Sequence, residues 1–306
     1  MSKPSSRPEP RISRVGRASA QEHAGRELIE PRELVDAPFM PGQSPSLGAR
    51  RALLLMVTTA AAEGFSDKVY RLSKRELRQG HESNDRIGAL VDEVISIRFQ
   101  IPGLSSRGRA AIIKAHLFEE ITEETDEGNS AWIEFEFSHR ARVLFGASEV
   151  YAVLNRTAVL AFDGKYAITL YQLGCLYSGR RDPTIRLTVP ELRTRLGVPE
   201  GRYSDWAQIR RFVLGSAKEE VDHLAHFQLS IREHREGRKV VAVTLGFWRK
   251  DDPSIDAAVD ELDRSKVGRK ARRTGTVKQA ETRAANIYKE LTDSLPGLDV
   301  DKIPEL

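Results

Sequence analysis

The sequence predicts an α+β protein in which one arrangement of helices and a β-hairpin occurs twice along the chain. The octet RLSKRELR begins at Arg71, and a second octet, RLTVPELR, begins at Arg186 with five of its eight residues identical. Helical periodicity and strand-like alternation follow in the same order around both octets. Polar, charged and proline-rich stretches precede the first copy and follow the second, and such composition is typical of disordered tails.

Each octet predicts a short strand followed by a capped helix. Ser73 with Glu76, and Thr188 with Glu191, have the spacing of a capping box. In this motif the hydroxyl accepts from a free N–H of the first helical turn, and the carboxylate accepts from the N–H of the cap residue. Pro190 falls in the first turn of the second helix, where its missing N–H removes no helical hydrogen bond.

The first copy is predicted over residues 44–155. Its elements are, in order, the helix SLGARRALLLMVTTAAAEG, the strand KVYRL, the helix SKRELRQG, a helix over residues 84–95, and the strands AAIIKAHLFEEI and SAWIEFEFSH. The polar stretch TEETDEGN between the last two strands predicts a hairpin loop.

The second copy is predicted over residues 156–250. Its elements are the helix KYAITLYQLGCLY, the strand PTIRL, the helices TVPELRTRLG and SDWAQIRRFVLGSAKEEVDHLA, and the strands HFQLSIREH and RKVVAVTLGFW. Helix, short strand, helix, helix and hairpin is the order of a winged helix, a helix-turn-helix followed by a β-ribbon wing. The sequence therefore predicts two tandem winged-helix domains.

The two ends of the chain are predicted to be disordered. Residues 1–43 form an N-terminal arm in which HAGRELIEPRELV predicts a weak helix. Residues 251–306 form a mostly disordered tail with a basic stretch, RSKVGRKARRTGTVKQ, which is either solvated or an auxiliary DNA-binding arm. Within that tail, TRAANIYKELTDSL predicts an isolated helix.

Several classes of protein are excluded by composition. The first residues lack the apolar core of a secretory signal, and no apolar run approaches the roughly 18 residues of a membrane span. We therefore expect a cytoplasmic protein with no membrane partner. The single cysteine, Cys175, excludes an internal disulfide and a cysteine-based zinc site. Its apolar neighbours favour a packed thiol.

The positive charge is concentrated in the second domain. The chain has a formal net charge of +4, yet residues 156–250 alone carry 17 basic and 10 acidic side chains. A basic block of this kind indicates a polyanionic partner, although a solvated surface has the same composition.

The second domain also resembles a known family. The stretches GKYAITLYQL, LTVPELRTRLGVPEGRYSDW, RRFVLGSAKEEVDHLAHFQL and GRKVVAVTLGF resemble, in order, the C-terminal winged helix of the iteron-binding plasmid replication initiators, the Rep family. The resemblance covers residues 158–248 and extends more loosely to residues 45–155. The N-terminal arm and the tail after Asp251 show no such resemblance.

This resemblance implies a protein that binds direct repeats in double-stranded DNA at a plasmid origin. It implies help in opening the origin and recruitment of host replication proteins, such as a helicase and the host initiator. It also implies an equilibrium between a homodimer that represses its own promoter and a monomer that initiates. No catalytic activity and no cofactor are expected.

The long helix of the second domain, Ser204 to Leu224, is the expected recognition helix. At 100° per residue, one face carries apolar residues and predicts the core side: Trp206, Ile209, Phe212, Val213, Ala217 and Leu224. The opposite face carries Ser204, Gln208, Arg211, Gly215 and Lys218. A recognition helix presents its N-terminal half to the major groove, and an ordinary solvated face is the alternative.

Roles for individual residues follow from this placement. Gln208 and Arg211 are the predicted base readers, because Gln pairs with adenine and Arg with guanine. Tyr203 and Ser204 are predicted phosphate contacts at the helix N-terminus. Arg195, Arg210 and Lys218 are further predicted phosphate contacts. For Tyr203 and Trp206, packing in the core is the stronger alternative.

The two predicted wings differ in charge. The second wing carries Arg232, His234, Arg235, Arg238 and Lys239, and of these Arg235, Arg238 and Lys239 are predicted to contact phosphates. The first wing is acidic and carries Glu119, Glu120, Glu123, Glu124, Asp126 and Glu127. We therefore expect the second domain to be the main DNA reader. The first domain is expected to dimerise, or to contact DNA through Lys74, Arg75 and Arg78 or through Arg107 and Arg109.

Other functions are less well supported. A rolling-circle nickase needs a His-apolar-His pair for its metal, and the seven histidines contain none. His223 and His226, with Asp222 beside them, show no third ligand, so no metal site is predicted. No GxxxxGK[ST] motif indicates a nucleotide motor. A winged-helix transcriptional regulator without a role in replication remains the alternative.

Overall fold

A computed structural model of the protein describes residues 26–37, 39–40, 42–78, 86–125 and 131–275. The chain forms one compact unit that ends at Leu262 and a second that begins at Asp263. The second unit contains, among its described residues, one short helix, Arg269–Arg273. Within the described residues, no helix has the length and apolar character needed to cross a membrane.

The first domain contains the predicted winged helix and additional elements around it. In chain order its elements are β1 (Glu27–Pro31), α1 (Arg32–Asp36), α2 (Leu47–Ala61), β2 (Tyr70–Ser73), α3 (Lys74–Leu77), α4 (Ile87–Ile95), β3 (Arg98–Leu104), β4 (Ala110–His116), β5 (Phe118–Glu123), β6 (Trp132–Phe137) and α5 (His139–Gly146). Strands β2, β6 and β5 form an antiparallel sheet in that order. The hairpin of β5 and β6 is the first wing.

The second domain repeats this plan. Its elements are β7 (Tyr151–Asn155), α6 (Arg156–Ala161), α7 (Lys165–Tyr177), β8 (Thr184–Thr188), α8 (Val189–Leu196), α9 (Trp206–Gln208), a π-helical segment (Ile209–Gly215), α10 (Ser216–Leu224), β9 (Phe227–Glu236), β10 (Lys239–Arg249) and α11 (Asp252–Asp263). Strands β8, β10 and β9 form an antiparallel sheet in the order of the first sheet. The predicted pair of winged helices is confirmed.

Both capping boxes form as predicted. The N–H of Glu76 donates to Ser73 Oγ at 3.3 Å, and the N–H of Glu191 donates to Thr188 Oγ1 at the same distance. The carboxylate of Glu191 accepts from the N–H of Thr188 at 2.7 Å. This backbone hydrogen bond is the main reason why the pKa of Glu191 lies below its ordinary value.

The predicted N-terminal arm needs correction over its last part. Strand β1 pairs antiparallel with β7, with Leu28 opposite Leu154, so HAGRELIEPRELV contains a strand as well as the short helix α1. Leu28 is 2% exposed and belongs to the core. The local pattern could not reveal this strand because its paired residues lie 120 to 128 positions away. Residues 1–25 lie outside the described residues.

A further hairpin was missed in the first domain. The predicted strand AAIIKAHLFEEI is two strands, β4 and β5, separated at the fully buried Leu117. Strand β4 pairs with β3, an element that the sequence analysis did not predict. The Pro102–Gly103 pair within β3 conceals its strand character, because both residue types are depleted in strands.

The tail and the long helix also differ from prediction. Helix α11 extends order beyond residue 251, and its Ala258 and Glu261 are buried. In the long helix, Phe212 was predicted on the core face but is 49% exposed, whereas Leu214 is 1% exposed. The π-helical segment explains this difference, because its i→i+5 bonds change the rotation per residue from the 100° of an α-helix. The helix predicted in TRAANIYKELTDSL lies outside the described residues.

Two consecutive arginines on α2 join the first domain to the second. Arg50 is 3% exposed, and its Nη2 donates to the carbonyl of Leu196, the last residue of α8, at 2.9 Å. Its Nη1 donates to Thr169 on α7, and its Nε donates to the carbonyl of Pro45 at 3.0 Å. Burial lowers the pKa of Arg50 to about 10, so the guanidinium remains charged at neutral pH.

The neighbouring arginine binds a second helix end. Arg51 Nε donates to the carbonyl of Val159 at 3.1 Å, and Nη2 donates to the carbonyls of Leu160 at 3.0 Å and of Phe162. These carbonyls lie at the C-terminus of α6, where a cation also interacts favourably with the helix dipole. Both arginines therefore satisfy backbone groups that the second domain leaves unpaired at its helix ends.

The end of α8 is shaped to receive Arg50. Gly197 closes the helix in the left-handed conformation, with φ of 65°. A Cβ at this position would lie 2.8 Å from Arg50 Nη2 and 3.1 Å from the ring of Phe39. Glycine is thus required both by the backbone conformation and by the approach of the arginine.

We predict that Arg50→Leu lowers the free energy of unfolding by about 2–4 kcal/mol, because three buried acceptors lose their donor. Urea denaturation followed by circular dichroism measures the change. Arg75→Leu is the matched control, since Arg75 is exposed on α3 and such surface changes usually stay within about 0.5 kcal/mol. Equal stability of the two variants would contradict the role of Arg50.

A buried carboxyl group lies at the same junction. Glu30 on β1 is 2% exposed, and Gln172 Nε2 on α7 donates to it at 2.8 Å. Burial raises the pKa of Glu30 from 4.5 to about 8, although the hydrogen bond from Gln172 opposes the shift. The folded protein therefore holds Glu30 protonated at neutral pH, whereas the unfolded chain ionises it.

We predict that Glu30→Gln becomes stabilising relative to the wild type as the pH rises. Because the pKa of Glu30 is higher in the folded than in the unfolded protein, the protonated side chain contributes fully to the free energy of unfolding below pH 4.5. This contribution declines as the pH rises to about 8. Over this range the variant should gain a few kcal/mol over the wild type. Unfolding free energies measured at about pH 5.5 and pH 8 test this, and a difference independent of pH would refute the assignment.

Candidate nucleic-acid interface

The turn between α8 and the long helix is held by one arginine. Arg193 on α8 donates from Nη1 to the carbonyl of Tyr203, and from Nη2 to the carbonyl of Arg202, each at 2.7 Å. Tyr203 has a positive φ of 53°, which is uncommon for a residue other than glycine. These hydrogen bonds fix the turn of the helix-turn-helix and thus the point at which the long helix begins.

The first residues of the long helix are ordered by Asp205. Its carboxylate caps the helix by accepting from the N–H of Gln208 at 2.8 Å, and it also accepts from Gln208 Nε2 at 3.0 Å. Ser204 beside it is exposed. The predicted base reader Gln208 is therefore held at the helix start by a local hydrogen bond, which must open or be shared when the amide contacts a base.

An exposed arginine and two aromatic rings form the outer surface of this helix. The guanidinium of Arg211 lies 5.1 Å from the centre of the Phe212 ring, and this ring stacks on Tyr203 at 5.9 Å. Arg211 is exposed and has no hydrogen bond or ion pair to another described residue. Tyr203 is partly buried against the core, which agrees with its alternative interpretation.

Phe212 is a candidate contact that the sequence analysis assigned to the core. Its exposure beside Arg211 results from the π-helical segment, and the apolar edge of a phenyl ring suits the methyl group of thymine. No periodicity argument based on an α-helix could have placed it on the surface. A π-helical segment within an α-helix frequently marks a functional site.

Glu233 connects the long helix to the second wing. It lies on β9 and accepts from Trp206 Nε1 at 2.8 Å and from Arg235 Nη2 at 2.6 Å. Its carboxylate also lies 3.6 Å from Arg210 Nη1. The hydrogen bond from Trp206 is the largest cause of its lowered pKa, so Glu233 is ionised at neutral pH.

The sequence analysis does not predict this link, because it assigns one role to the whole basic stretch in which Glu233 lies. The alternation of β9 was the available signal: Arg232 is exposed, while Glu233 is partly buried and faces the helix. Arg210 and Arg235, both predicted phosphate contacts, share this carboxylate. Arg235 remains 52% exposed and Arg210 71% exposed, so each still presents charge to solvent.

The tip of the second wing carries two cations that have no partner in the part of the chain that the structure describes. Arg238 and Lys239 follow Gly237, which turns the chain between β9 and β10 with φ of 58°. Both side chains are exposed, and neither makes a hydrogen bond or ion pair within the described residues. They are therefore available to bind a phosphate backbone, and their contact with phosphates stays a prediction.

Two of the predicted phosphate contacts are paired with carboxylates of the protein itself. Arg195 is 14% exposed and pairs with Asp36 of α1 at 3.1 Å. It stabilises the junction between the domains and is withdrawn as a DNA contact. Lys218 pairs with Asp222 one turn further along the helix, and this carboxylate also accepts from the N–H of Leu229 at 2.7 Å. Asp222 therefore joins α10 to β9, and Lys218 pairs with this carboxylate within α10.

The first wing is acidic where the second is basic, and its surroundings differ accordingly. Lys74, a predicted alternative DNA contact, is 5% exposed and pairs with Glu123 at 2.8 Å, so it is withdrawn. Glu124 accepts from the N–H of Trp132 at 2.7 Å. Arg75, Arg107 and Arg109 are exposed, the last two in the turn between β3 and β4. Asp126 and Glu127 lie outside the described residues.

The histidines near the end of the long helix make protein contacts. His223 Nε2 lies 3.6 Å from a carboxylate oxygen of Glu261 on α11. The ring of His226 packs edge-on against Phe227 at 5.0 Å. Among the described residues, no three side chains of His, Cys, Asp or Glu form a cluster suited to a metal ion.

Fold and site together define a tandem winged-helix protein with an exposed helix-turn-helix and a basic wing in its second domain. Residues 30–175 match the family model described as Initiator Replication protein, WH1, and residues 188–247 match the model described as Initiator Rep protein, WH2. The chain belongs to this initiator Rep family. No curated protein shows significant sequence similarity to the chain.

We predict that the double variant Arg238→Gln, Lys239→Gln binds all DNA sequences more weakly and with a flatter salt dependence. Each lost phosphate contact should reduce the log–log slope by about 0.9. Fluorescence anisotropy titrations on one duplex at several salt concentrations measure the slope.

The matched control is Glu119→Gln, Glu124→Gln, which changes two charges on the first wing. This control should leave the affinity unchanged or raise it slightly, because the acidic wing repels phosphates. An unchanged slope for the basic-wing variant, or a large loss for the control, would show that the first domain faces the duplex.

Proposed function

We propose that this protein is a plasmid replication initiator that binds direct repeats in double-stranded DNA at an origin through its second domain. Membership of the initiator Rep family supports the general role. The single observation that carries the mode of binding is that Arg211 of the long helix, and Arg238 and Lys239 of the second wing, are exposed and have no hydrogen bond or ion pair among the described residues.

In this mode the N-terminal half of the long helix enters the major groove. Arg211 pairs with a guanine through its two guanidinium nitrogens, Gln208 contacts an adjacent base, and Phe212 contacts a thymine methyl group. Ser204 at the helix start, and Arg210 and Arg235 around Glu233, bind phosphates. Arg238 and Lys239 bind the backbone on the other side of the groove that the helix enters.

Glu233 gives this arrangement its rigidity. Because one carboxylate accepts from Trp206 of the helix and Arg235 of the wing, helix and wing keep a fixed spacing before DNA binds. Preorganisation of this kind reduces the conformational entropy lost on binding.

Membership of the initiator Rep family supports a wider role that needs no catalysis. The protein performs no chemistry and uses no cofactor. It helps to open the origin and recruits a host helicase and host initiator. A dimeric form represses its own promoter, and a monomeric form initiates replication. The acidic first wing is available to protein partners, since its charge disfavours DNA.

Replication of an origin fragment tests the role directly. The fragment is placed in a host in which this protein is the only plasmid-encoded factor. Propagation that depends on an intact protein is the expected result. Repression of a promoter carrying the repeats, without propagation of the origin, would instead identify a transcriptional regulator.

We predict that Arg211→Ala weakens binding to the cognate repeat by about 1–3 kcal/mol, the discrimination of one bidentate base contact. Binding to scrambled duplex should change far less. Arg238→Gln is the matched comparison, because loss of a phosphate contact weakens both duplexes alike. Equal losses on cognate and scrambled DNA for Arg211→Ala would make Arg211 a phosphate contact.

A further inference from the structure

The sheet of the second domain has an outer face that the DNA-binding mode does not use. Residues that alternate along its strands point inward and are fully buried, such as Val243, Leu245 and Phe247 of β10. The residues between them point to solvent on the side opposite the helices. This outer face carries Arg186 of β8, Arg232 of β9 and Trp248 of β10.

Trp248 lies along this face and is 51% exposed. Its Nε1 donates to Ser230 Oγ on the neighbouring strand at 2.9 Å. A Cβ on Gly246 would lie 2.7 Å from the same nitrogen, so the indole occupies space that only glycine leaves open. The indole therefore lies close to the sheet, is fixed by a hydrogen bond, and keeps half of its surface accessible.

Two arginines flank the face in a single row across the sheet. Arg186 and Arg232 both stand opposite Thr244, on either side of the central strand. With a strand spacing of about 4.8 Å, their backbones are about 10 Å apart. Both side chains are exposed, and neither makes a hydrogen bond or ion pair with another described residue.

The strands themselves add no acidic charge to this face. Within β8, β9 and β10, the acidic residues are Glu233, which faces the long helix, and Glu236 at the wing tip. The remaining outward residues are neutral or weakly basic, such as Gln228, Ser230 and His234. The indole lies over Gly246, one outward position from Thr244 and its row of two arginines. A fixed aromatic ring and exposed cations on one face are the composition of a surface that stacks nucleobases and attracts their backbone.

The first domain supplies an internal comparison. Its sheet has the same strand order, and Arg71 occupies the place of Arg186 in the duplicated octet. There, however, Arg71 is paired with Glu134 of the central strand at 2.7 Å, and Glu136 lies two residues further along. The central strand of the second domain has Thr244 and Gly246 instead, so Arg186 and Arg232 have no acidic partner among the residues that the structure describes.

We propose that the outer face of the second sheet, formed by Trp248, Arg186 and Arg232, binds single-stranded DNA. A base stacks on the indole, and the two guanidinium groups hold phosphates of the same strand. This inference rests on the proposed function, because opening an origin exposes single strands beside the repeats. The helix and wing would remain on duplex DNA while this face holds a separated strand.

Binding to a labelled oligo(dT) of about 20 nucleotides tests the proposal, with duplex repeat binding measured in parallel on the full-length protein. Trp248→Leu should weaken oligo(dT) binding about tenfold or more, as expected for one lost stacking contact. It should leave duplex binding unchanged, which also shows that the variant is folded. Trp248→Phe should retain most of the oligo(dT) affinity, because a phenyl ring still stacks.

Two further variants complete the experiment. Trp132→Leu is the matched control, since Trp132 is 41% exposed on the central strand of the acidic first sheet, and it should bind oligo(dT) as the wild type does. The double variant Arg186→Gln, Arg232→Gln should flatten the salt dependence of oligo(dT) binding by about 0.7 per lost contact. If Trp248→Leu does not fold, this double variant still tests the same face.

The outcomes separate this inference from the proposed function. A wild-type protein that binds the repeats but not oligo(dT) would overturn the inference alone. So would variants of Trp248, Arg186 and Arg232 that bind oligo(dT) as well as the control. A wild-type protein that binds neither DNA would overturn the proposed function together with this inference.

Discussion

The buried arginine pair on α2 is the constraint on which the rest of the structure depends. Arg50 and Arg51 reach from the first domain to the C-terminal ends of two helices of the second, where the last carbonyls of a helix lie beyond its regular hydrogen bonds. One cluster of buried apolar residues continues through both domains. Because α8 is the first helix of the helix-turn-helix, the first domain thereby fixes the base from which the long helix extends.

Three further charged residues fix the position of the helix and the wing at the surface. Arg193 fixes the turn, Asp205 starts the long helix, and Glu233 joins that helix to the wing. Each residue uses its charge within the protein, whereas Arg211, Arg238 and Lys239 have no hydrogen bond or ion pair among the described residues and are available to DNA. The duplicated domains thus differ less in fold than in which of their charges are neutralised: the first sheet pairs Arg71 with Glu134, and the second leaves Arg186 unpaired.

The sequence was sufficient for features that depend on neighbouring residues. Both capping boxes, the alternation of the wing strands and the contrast in wing charge were predicted from local patterns. Features that depend on distant residues were not. Strand β1 pairs with β7, Arg195 forms a salt bridge with Asp36, and Lys74 forms one with Glu123. No local sequence pattern predicts these distant partners. The π-helical segment escaped prediction for another reason: it breaks the periodicity on which the assignment of helix faces rests.

Cysteine-directed DNA cleavage tests the central claim, that the second domain and not the first lies on the duplex. Burial raises the pKa of the native Cys175 to about 12, so a cysteine introduced at an exposed site can be labelled selectively with an iron chelate. The account predicts that the label on Arg238→Cys cuts the DNA once within each repeat, and that the label on Glu124→Cys leaves the repeats intact. Cleavage from position 124, with none from position 238, would contradict it.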